Sequence, residues 1–139
     1  MKATTSSAAE AIERLLEATN DHDLESLVGC FAPGFVNETP AHPARSFVGS
    51  DQVRRNWAQI FAGVPDLEAE ITRRSVDGDT VWTEWEMRGT RADGSPHLMR
   101  GVGIFTALEG RFSSLRFYLE PVEHGGGGVD AAVREQVVR

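Results

Sequence analysis

The apolar pattern of this chain changes period at Leu67, and that change limits what it can fold into more than any other feature. Before it, apolar residues recur at spacings of three and four; after it they alternate. Spacings of three and four stripe one side of a helix, whereas alternation places successive side chains on opposite faces of a strand. Leu67, Ala69 and Ile71 alternate with Glu68, Glu70 and Thr72, and Asp77-Gly78-Asp79 then reads as a hairpin turn. The strand over 80–91 carries Val81, Thr83, Trp85 and Met87 on one face and Trp82, Glu84, Glu86 and Arg88 on the other. Turns at 92–96 and at Glu109-Gly110 separate it from strands over 97–108 and 111–122. Long strands joined by tight turns make an antiparallel meander.

The first half reads as helices. Ser6 and Ser7 can cap a helix whose buried side is Ala8, Ala9, Ile12, Leu15, Leu16 and Thr19. Asn20-Asp21-His22-Asp23 interrupts it. Asp23 then caps a second short helix with Leu24, Leu27, Val28 and Phe31 inward, and Pro33-Gly34 stops that helix. Residues 35–39 read as a short strand, and an irregular loop bounded by Pro40, Pro43 and Gly49 follows. Ser50 or Asp51 opens a third helix with Val53, Trp57, Ile60 and Phe61 at the helical period, ended by Gly63 and Pro65.

Helices followed by a meander predict the α+β class, with helices packed on an antiparallel sheet. Gly101 and Gly103 share one face of a central strand, where missing side chains permit a bend. The expectation is a strongly curved sheet whose concave side, covered by the helices, encloses an apolar pocket. Residues 1–124 read as a single domain. Residues 125–139 read as a Gly-rich linker and a tail, whose Val129, Ala132, Val133 and Val137 either dock as a helix or fray.

Charge and cysteine content narrow the partners. The 139 residues carry a net charge of −7, a sign that opposes binding to phosphate backbones and anionic membranes, so neither nucleic acid nor membrane is expected. The pairs Arg54–Arg55 and Arg73–Arg74 read as solvated surface. No run approaches the roughly 20 apolar residues of a membrane span, and residues 1–10 lack the apolar core of a secretory signal. The expected setting is the cytosol. Cys30, the one cysteine, lies in the apolar run Leu27-Val28-Gly29-Cys30-Phe31 and reads as a small buried hydrophobe. The histidines are not spaced with carboxylates as a metal site requires, and Gly101-Val102-Gly103 lies within a strand rather than in a phosphate loop. No metal or cofactor is expected.

Three stretches carry a resemblance: the two-helix start ending in Cys30-Phe31-Ala32-Pro33-Gly34-Phe35-Val36; the Trp82–Glu86 strand leading through a Gly turn to Met99-Arg100-Gly101-Val102-Gly103-Ile104-Phe105; and Glu109-Gly110-Arg111 leading to Leu115-Arg116-Phe117-Tyr118-Leu119-Glu120. In this order and spacing, over about 8–122, the chain resembles the SnoaL-like branch of the nuclear transport factor two-like superfamily. The resemblance implies a cone-shaped roll with a pocket between sheet and helices. Members include ketosteroid isomerases, limonene-type epoxide hydrolases, polyketide cyclases, dehydratases and non-catalytic binding domains, so the fold leaves function open.

The isomerases need a carboxylate base with a tyrosine and a protonated aspartic acid. By the resemblance those positions fall near Thr39, Leu15 and Gly103, none of which can serve; Glu38, beside the base position, is turned to the other face by strand alternation. The Asp–Arg–Asp set of the epoxide hydrolases falls on Trp85, Met87 and Phe117, and their water-holding Tyr and Asn fall on Asn37 and Thr39. Asn37 and His42 are therefore the candidate catalytic residues, the first as an amide that orients a carbonyl or water, the second as a base titrating near neutrality. The plainer readings weigh against both: Asn37 satisfies loop backbone, and His42, on a loop between prolines, is simply exposed. Thr39, Trp57, Phe61, Thr83, Trp85, Met87, Met99 and Phe117 are the candidate ligand-binding residues. Glu84, Glu86, Arg100, Arg116 and Glu120 face outward, either as a solvated surface or as a homodimer interface. The sequence leaves three functions in view: a binder of a small hydrophobic molecule, an isomerase-, cyclase- or hydratase-type enzyme on a polyketide-, steroid- or terpene-like substrate, and a non-catalytic dimerisation module.

Overall fold

A computed structural model describes residues 7–138. Ser6, an expected cap of the first helix, lies outside them. The chain runs through α1 (Ser7–Asn20), α2 (Leu24–Gly29), β1 (Phe31–Glu38), β2 (Phe47–Val48), α3 (Ser50–Gly63), β3 (Glu68–Asp77), β4 (Thr80–Thr90), β5 (Pro96–Leu108), β6 (Arg111–Pro121) and α4 (Val129–Val137). The strands form one six-stranded sheet in the order β2-β1-β6-β5-β4-β3. Every pairing is antiparallel except β1 with β6, so the sheet is mixed and the fold is α+β.

Elementary patterning accounts for most of these elements. Ala8, Ala11, Ile12, Leu15, Ala18 and Thr19 of α1 are buried, a stripe at helical spacing laid on the sheet. Asp23 caps α2, its carboxylate accepting from the Ser26 N–H at 3.1 Å. On the strands, Val81, Thr83, Trp85, Phe105 and Leu115 are buried on the inner face, while Trp82, Glu84, Arg100 and Arg116 point outward. Gly101 adopts φ +153°, and a Cβ there would lie 2.1 Å from the Tyr118 carbonyl oxygen, so only glycine lets β5 and β6 approach at this point.

The second helix is shorter than its pattern predicts. Phe31 belongs to β1, and Pro33-Gly34 lies inside that strand at a break in register between Phe31 and Val36. The reason is long-range. The Phe112 N–H of β6 donates to the Cys30 carbonyl at 2.8 Å, and the Phe31 ring packs on Phe35 and Phe112, so the chain is drawn onto the sheet as soon as α2 ends. Pro33, which has no N–H to donate, is accommodated where the ladder is interrupted. The loop before α3 is also more ordered than expected. Pro43–Arg45 forms a 3-10 turn and Phe47–Val48 pairs with β1.

In α3 only Val53 is fully buried; Trp57, Ile60 and Phe61 are half-buried although they share its apolar side. The incomplete burial marks a space between this helix and the sheet. At the other end of the chain α4 buries none of its residues, leaving Val129, Val133 and Val137 exposed. No helix among the described residues is long and apolar enough to cross a membrane.

Candidate ligand-binding site

The space beneath α3 is a cavity of about 300 Å³. One wall is the helical stripe Val53, Asn56, Trp57 and Ile60; Leu15 and Thr19 of α1 border it. The facing wall is the inner side of the sheet: Trp85 and Met87 of β4, His97, Met99, Gly103 and Phe105 of β5, and Leu115, Phe117 and Leu119 of β6. Phe31, Phe35, Asn37 and Thr39 from the β1 segment, with Arg45 and Phe47 from the loop after it, complete the lining. Gly103 contributes by absence. A Cβ there would come within 2.8 Å of the Phe105 ring and 3.3 Å of Leu115.

Polar groups are few, and each has an identifiable job. Asn37 and Thr39 are 6% and 4% exposed, two residues apart on one side of β1. The Asn37 Nδ2 donates to the Thr39 Oγ1 at 3.1 Å. That bond fixes the amide and leaves its Oδ1 with no hydrogen-bond partner among the described residues, while the Thr39 hydroxyl keeps a proton to donate. The Thr39 N–H in turn donates to the Ser46 Oγ at 3.0 Å, tying the following loop to the strand. Asn56 is held from its own helix, its Oδ1 accepting from the Gln52 Nε2 at 2.8 Å. The Thr19 hydroxyl is spent on the Leu15 carbonyl at 2.7 Å. Burial and then the Arg91 guanidinium lower the His97 pKa, which favours its neutral imidazole at pH 7.

Of the residues singled out in the sequence, the cavity brings together Asn37, Thr39, Trp57, Trp85, Met87, Met99 and Phe117. Three others lie elsewhere. His42 does not line the cavity: its ring, just before the 3-10 turn, reaches the end of β6, where Nε2 lies 2.7 Å from the Glu120 Oε1. Phe61 stacks on the His22 ring at 4.6 Å between centroids, and His22 is itself anchored to the Leu67 carbonyl at 2.8 Å. Thr83 is a buried structural link, donating to the Gly103 carbonyl at 2.7 Å and accepting from the Trp85 Nε1 at 2.7 Å. Conversely, Arg45, Asn56 and His97 line the cavity without having been candidates. For His97 the signal was present, since it precedes Met99 by two residues on the same strand face. Asn56 likewise falls three residues after Val53 on the helix. Arg45 sits in an irregular loop with no period to read.

A second, polar cleft opens beside Cys30. The thiol there donates to the Ser26 carbonyl at 3.4 Å, and burial raises its pKa, so it is not poised as a thiolate nucleophile. Among the described residues no three His, Cys, Asp or Glu side chains cluster as a metal site would need.

The architecture is the NTF2-like, or ketosteroid isomerase-like, α+β fold. The sequence profile of the SnoaL-like domain matches residues 12–115, and the chain belongs to that family. Among curated proteins none matches. Similar solved structures include an LEH-like epoxide hydrolase of M. tuberculosis, 21% identical, covering 82% of this chain and 83% of the other with a TM-score of 0.70. IdmH of Streptomyces antibioticus, a candidate polyketide cyclase, is 24% identical over 81% of this chain and 91% of its own, with a TM-score of 0.70. An M. tuberculosis protein in complex with estradiol-17β-hemisuccinate is 18% identical over 82% and 94%, with a TM-score of 0.71. At these identities the likeness concerns the fold.

Proposed function

We propose that this chain binds a small hydrophobic molecule in the cavity between α3 and the sheet, with Asn37 and Thr39 as its polar anchor. One observation carries the reading. The positions at which the family resemblance puts catalytic groups, namely Leu15, Asn37, Thr39, Trp85, Met87, Gly103 and Phe117, all border the cavity, and none is ionisable at neutral pH. Glu38, the carboxylate beside the isomerase base position, faces the opposite way and pairs with Arg116 at 3.0 Å. What remains is a mainly apolar space with a few polar groups, of which Asn37 and Thr39 are buried and not tied to their own helix as Thr19 is, the usual composition of a small-molecule site, and its volume lies at the lower end of the usual range. Relatives of this fold occupied by an estradiol derivative and by trimethylamine support the same reading.

Isothermal titration with 2-naphthamide, a neutral aromatic amide, tests it. Saturable one-to-one binding is expected, and Asn37→Ala should weaken it about three- to tenfold, the worth of one net hydrogen bond. Absence of binding to the intact protein would sink the proposal, and unchanged affinity in the variant would remove Asn37 from it.

A second reading, an enzyme of cyclase type, draws on His97. A neutral imidazole bordering the cavity is a fit general base for removing a proton next to a carbonyl that Asn37 and Thr39 would hold. Cyclisation of a poly-β-keto thioester, lost in His97→Gln with binding retained, would favour it; no cyclisation by the intact protein would dismiss it. We also infer that the outer sheet face serves as a homodimer interface, since Trp82, Tyr118 and Val36 are exposed there among the Arg100–Glu86 and Arg116–Glu38 pairs. A monomer in sedimentation equilibrium at micromolar concentration would contradict this.

A further inference from the structure

The cavity lining contains no aspartate or glutamate, although the chain carries 21 of them and a net charge of −7. Its one permanently charged residue is Arg45, which is exposed at the edge of the apolar space. Five arginines on the strands and helices are already paired with carboxylates: Arg54 with Glu25, Arg74 with Glu13, Arg88 with Glu68 and Glu70, Arg100 with Glu86, Arg116 with Glu38. Among the described residues the Arg45 guanidinium has no carboxylate partner and no side-chain hydrogen bond.

Its backbone, by contrast, is well fixed. The Arg45 N–H donates to the His42 carbonyl at 2.9 Å, and the Ser46 N–H to the Pro43 carbonyl at 3.1 Å. The Ser46 hydroxyl accepts from the Thr39 N–H, so the turn bearing Arg45 is tied to the strand bearing the Asn37–Thr39 pair. His42 meanwhile occupies Glu120, the carboxylate its loop reaches. A guanidinium presents a planar fork of donors that matches a carboxylate better than any neutral group. At the mouth it stays hydrated when the site is empty, which avoids the cost of a buried unpaired charge.

We propose that the ligand of this cavity is amphipathic, an apolar body carrying a carboxylate that pairs with Arg45 at the mouth. The inference rests on the cavity being the binding site, and it adds the ligand's charge and direction. The apolar end points toward Trp85 and Phe105, and the carboxylate faces solvent beside the 3-10 turn. His97, mainly neutral at pH 7, adds a hydrogen-bonding group without competing for the anion.

A matched pair of probes tests the proposal: 2-naphthoate against 2-naphthamide, which differ in charge and little in shape. Titration calorimetry on the intact chain should show naphthoate binding about three- to tenfold tighter at low salt, a range set by an exposed but bidentate ion pair. Arg45→Gln should abolish that preference, so that the two probes bind the variant alike, and added KCl should narrow it in the intact protein. Because the Arg45 side chain has no hydrogen-bond or ion-pair partner among the described residues, its removal should leave the fold intact, which a thermal melt checks. Equal affinity for the two probes would overturn the proposal and leave the cavity reading standing. A preference that survives Arg45→Gln would also overturn it, assigning the anion to another group. Binding of neither probe would overturn both readings together.

Discussion

Gly101 and Gly103 lie two residues apart on the same strand, yet alanine should have opposite consequences at the two positions. A Cβ at Gly101 would sit 2.1 Å from the Tyr118 carbonyl oxygen and 2.6 Å from the Leu119 Cα, both backbone atoms held in the β5–β6 ladder. No rotamer change relieves that overlap, and φ +153° is itself a conformation that residues with side chains seldom adopt. Overpacking of this kind costs about 1–3 kcal/mol, and a disfavoured backbone region a further 1–3 kcal/mol or so. The sum, about 2–6 kcal/mol, would be a large part of the roughly 5–15 kcal/mol available to a domain. At Gly103 the obstructing atoms are the Phe105 Cε1 at 2.8 Å and the Leu115 Cδ1 at 3.3 Å, side chains that border open space. They can move into the cavity, so Gly103→Ala should cost less than about 1 kcal/mol, offset by the entropy that alanine removes from the unfolded chain. Urea unfolding followed by circular dichroism separates the two variants, and naphthamide titration of Gly103→Ala should show weakened binding as the cavity narrows. A Gly101→Ala protein as stable as Gly103→Ala would refute the reasoning, since it would mean that β5 and β6 are not in the close approach described.

Further outcomes follow from the same contacts. His42→Ala and Glu120→Gln should each leave naphthamide affinity within about twofold of the parent, because their pair lies outside the cavity; a larger loss in calorimetry would return His42 to the site. Thr83→Val should destabilise the fold by about 2 kcal/mol in urea titration, because it leaves the buried Trp85 indole N–H without its acceptor. Asp23 has its pKa lowered by the Ser26 hydroxyl and backbone N–H. Its contribution to α2 is therefore complete above the ordinary carboxylate range and is lost as pH falls through the lowered value. Asp23→Ala should accordingly narrow the gap in stability between pH 7 and pH 2, measured by thermal melts.

The sheet was legible because alternation is a local signal. The period change at Leu67 and the turns at Gly78, Gly94 and Gly110 place four strands, and Val81, Trp85 and Phe105 identify the inner face without any knowledge of partners. What the local signal missed was decided by distant contacts. Phe31 fits the end of a helix by spacing, yet packing against Phe112, 81 positions away by residue number, makes it the start of a strand. Thr83 and Phe61 have the right faces for a ligand site, but sequence cannot reveal that Trp85 and Gly103 take up the Thr83 hydroxyl or that His22 stacks on Phe61. The loop is the extreme case. Two residues, His42 and Arg45, stand within one turn of each other, and only the geometry of that turn sends the first to Glu120 and the second to the cavity.

Met87 and Met99 oppose each other on β4 and β5, and both border the cavity, so their methyl groups report directly on what enters it. In a spectrum of protein labelled with ¹³C at the methionine methyls, adding 2-naphthamide should shift both signals along one saturable curve, through the ring current of an aromatic held against them. Signals of Met87 and Met99 that stay in place at saturating probe would contradict the claim that this cavity is where the protein binds its ligand.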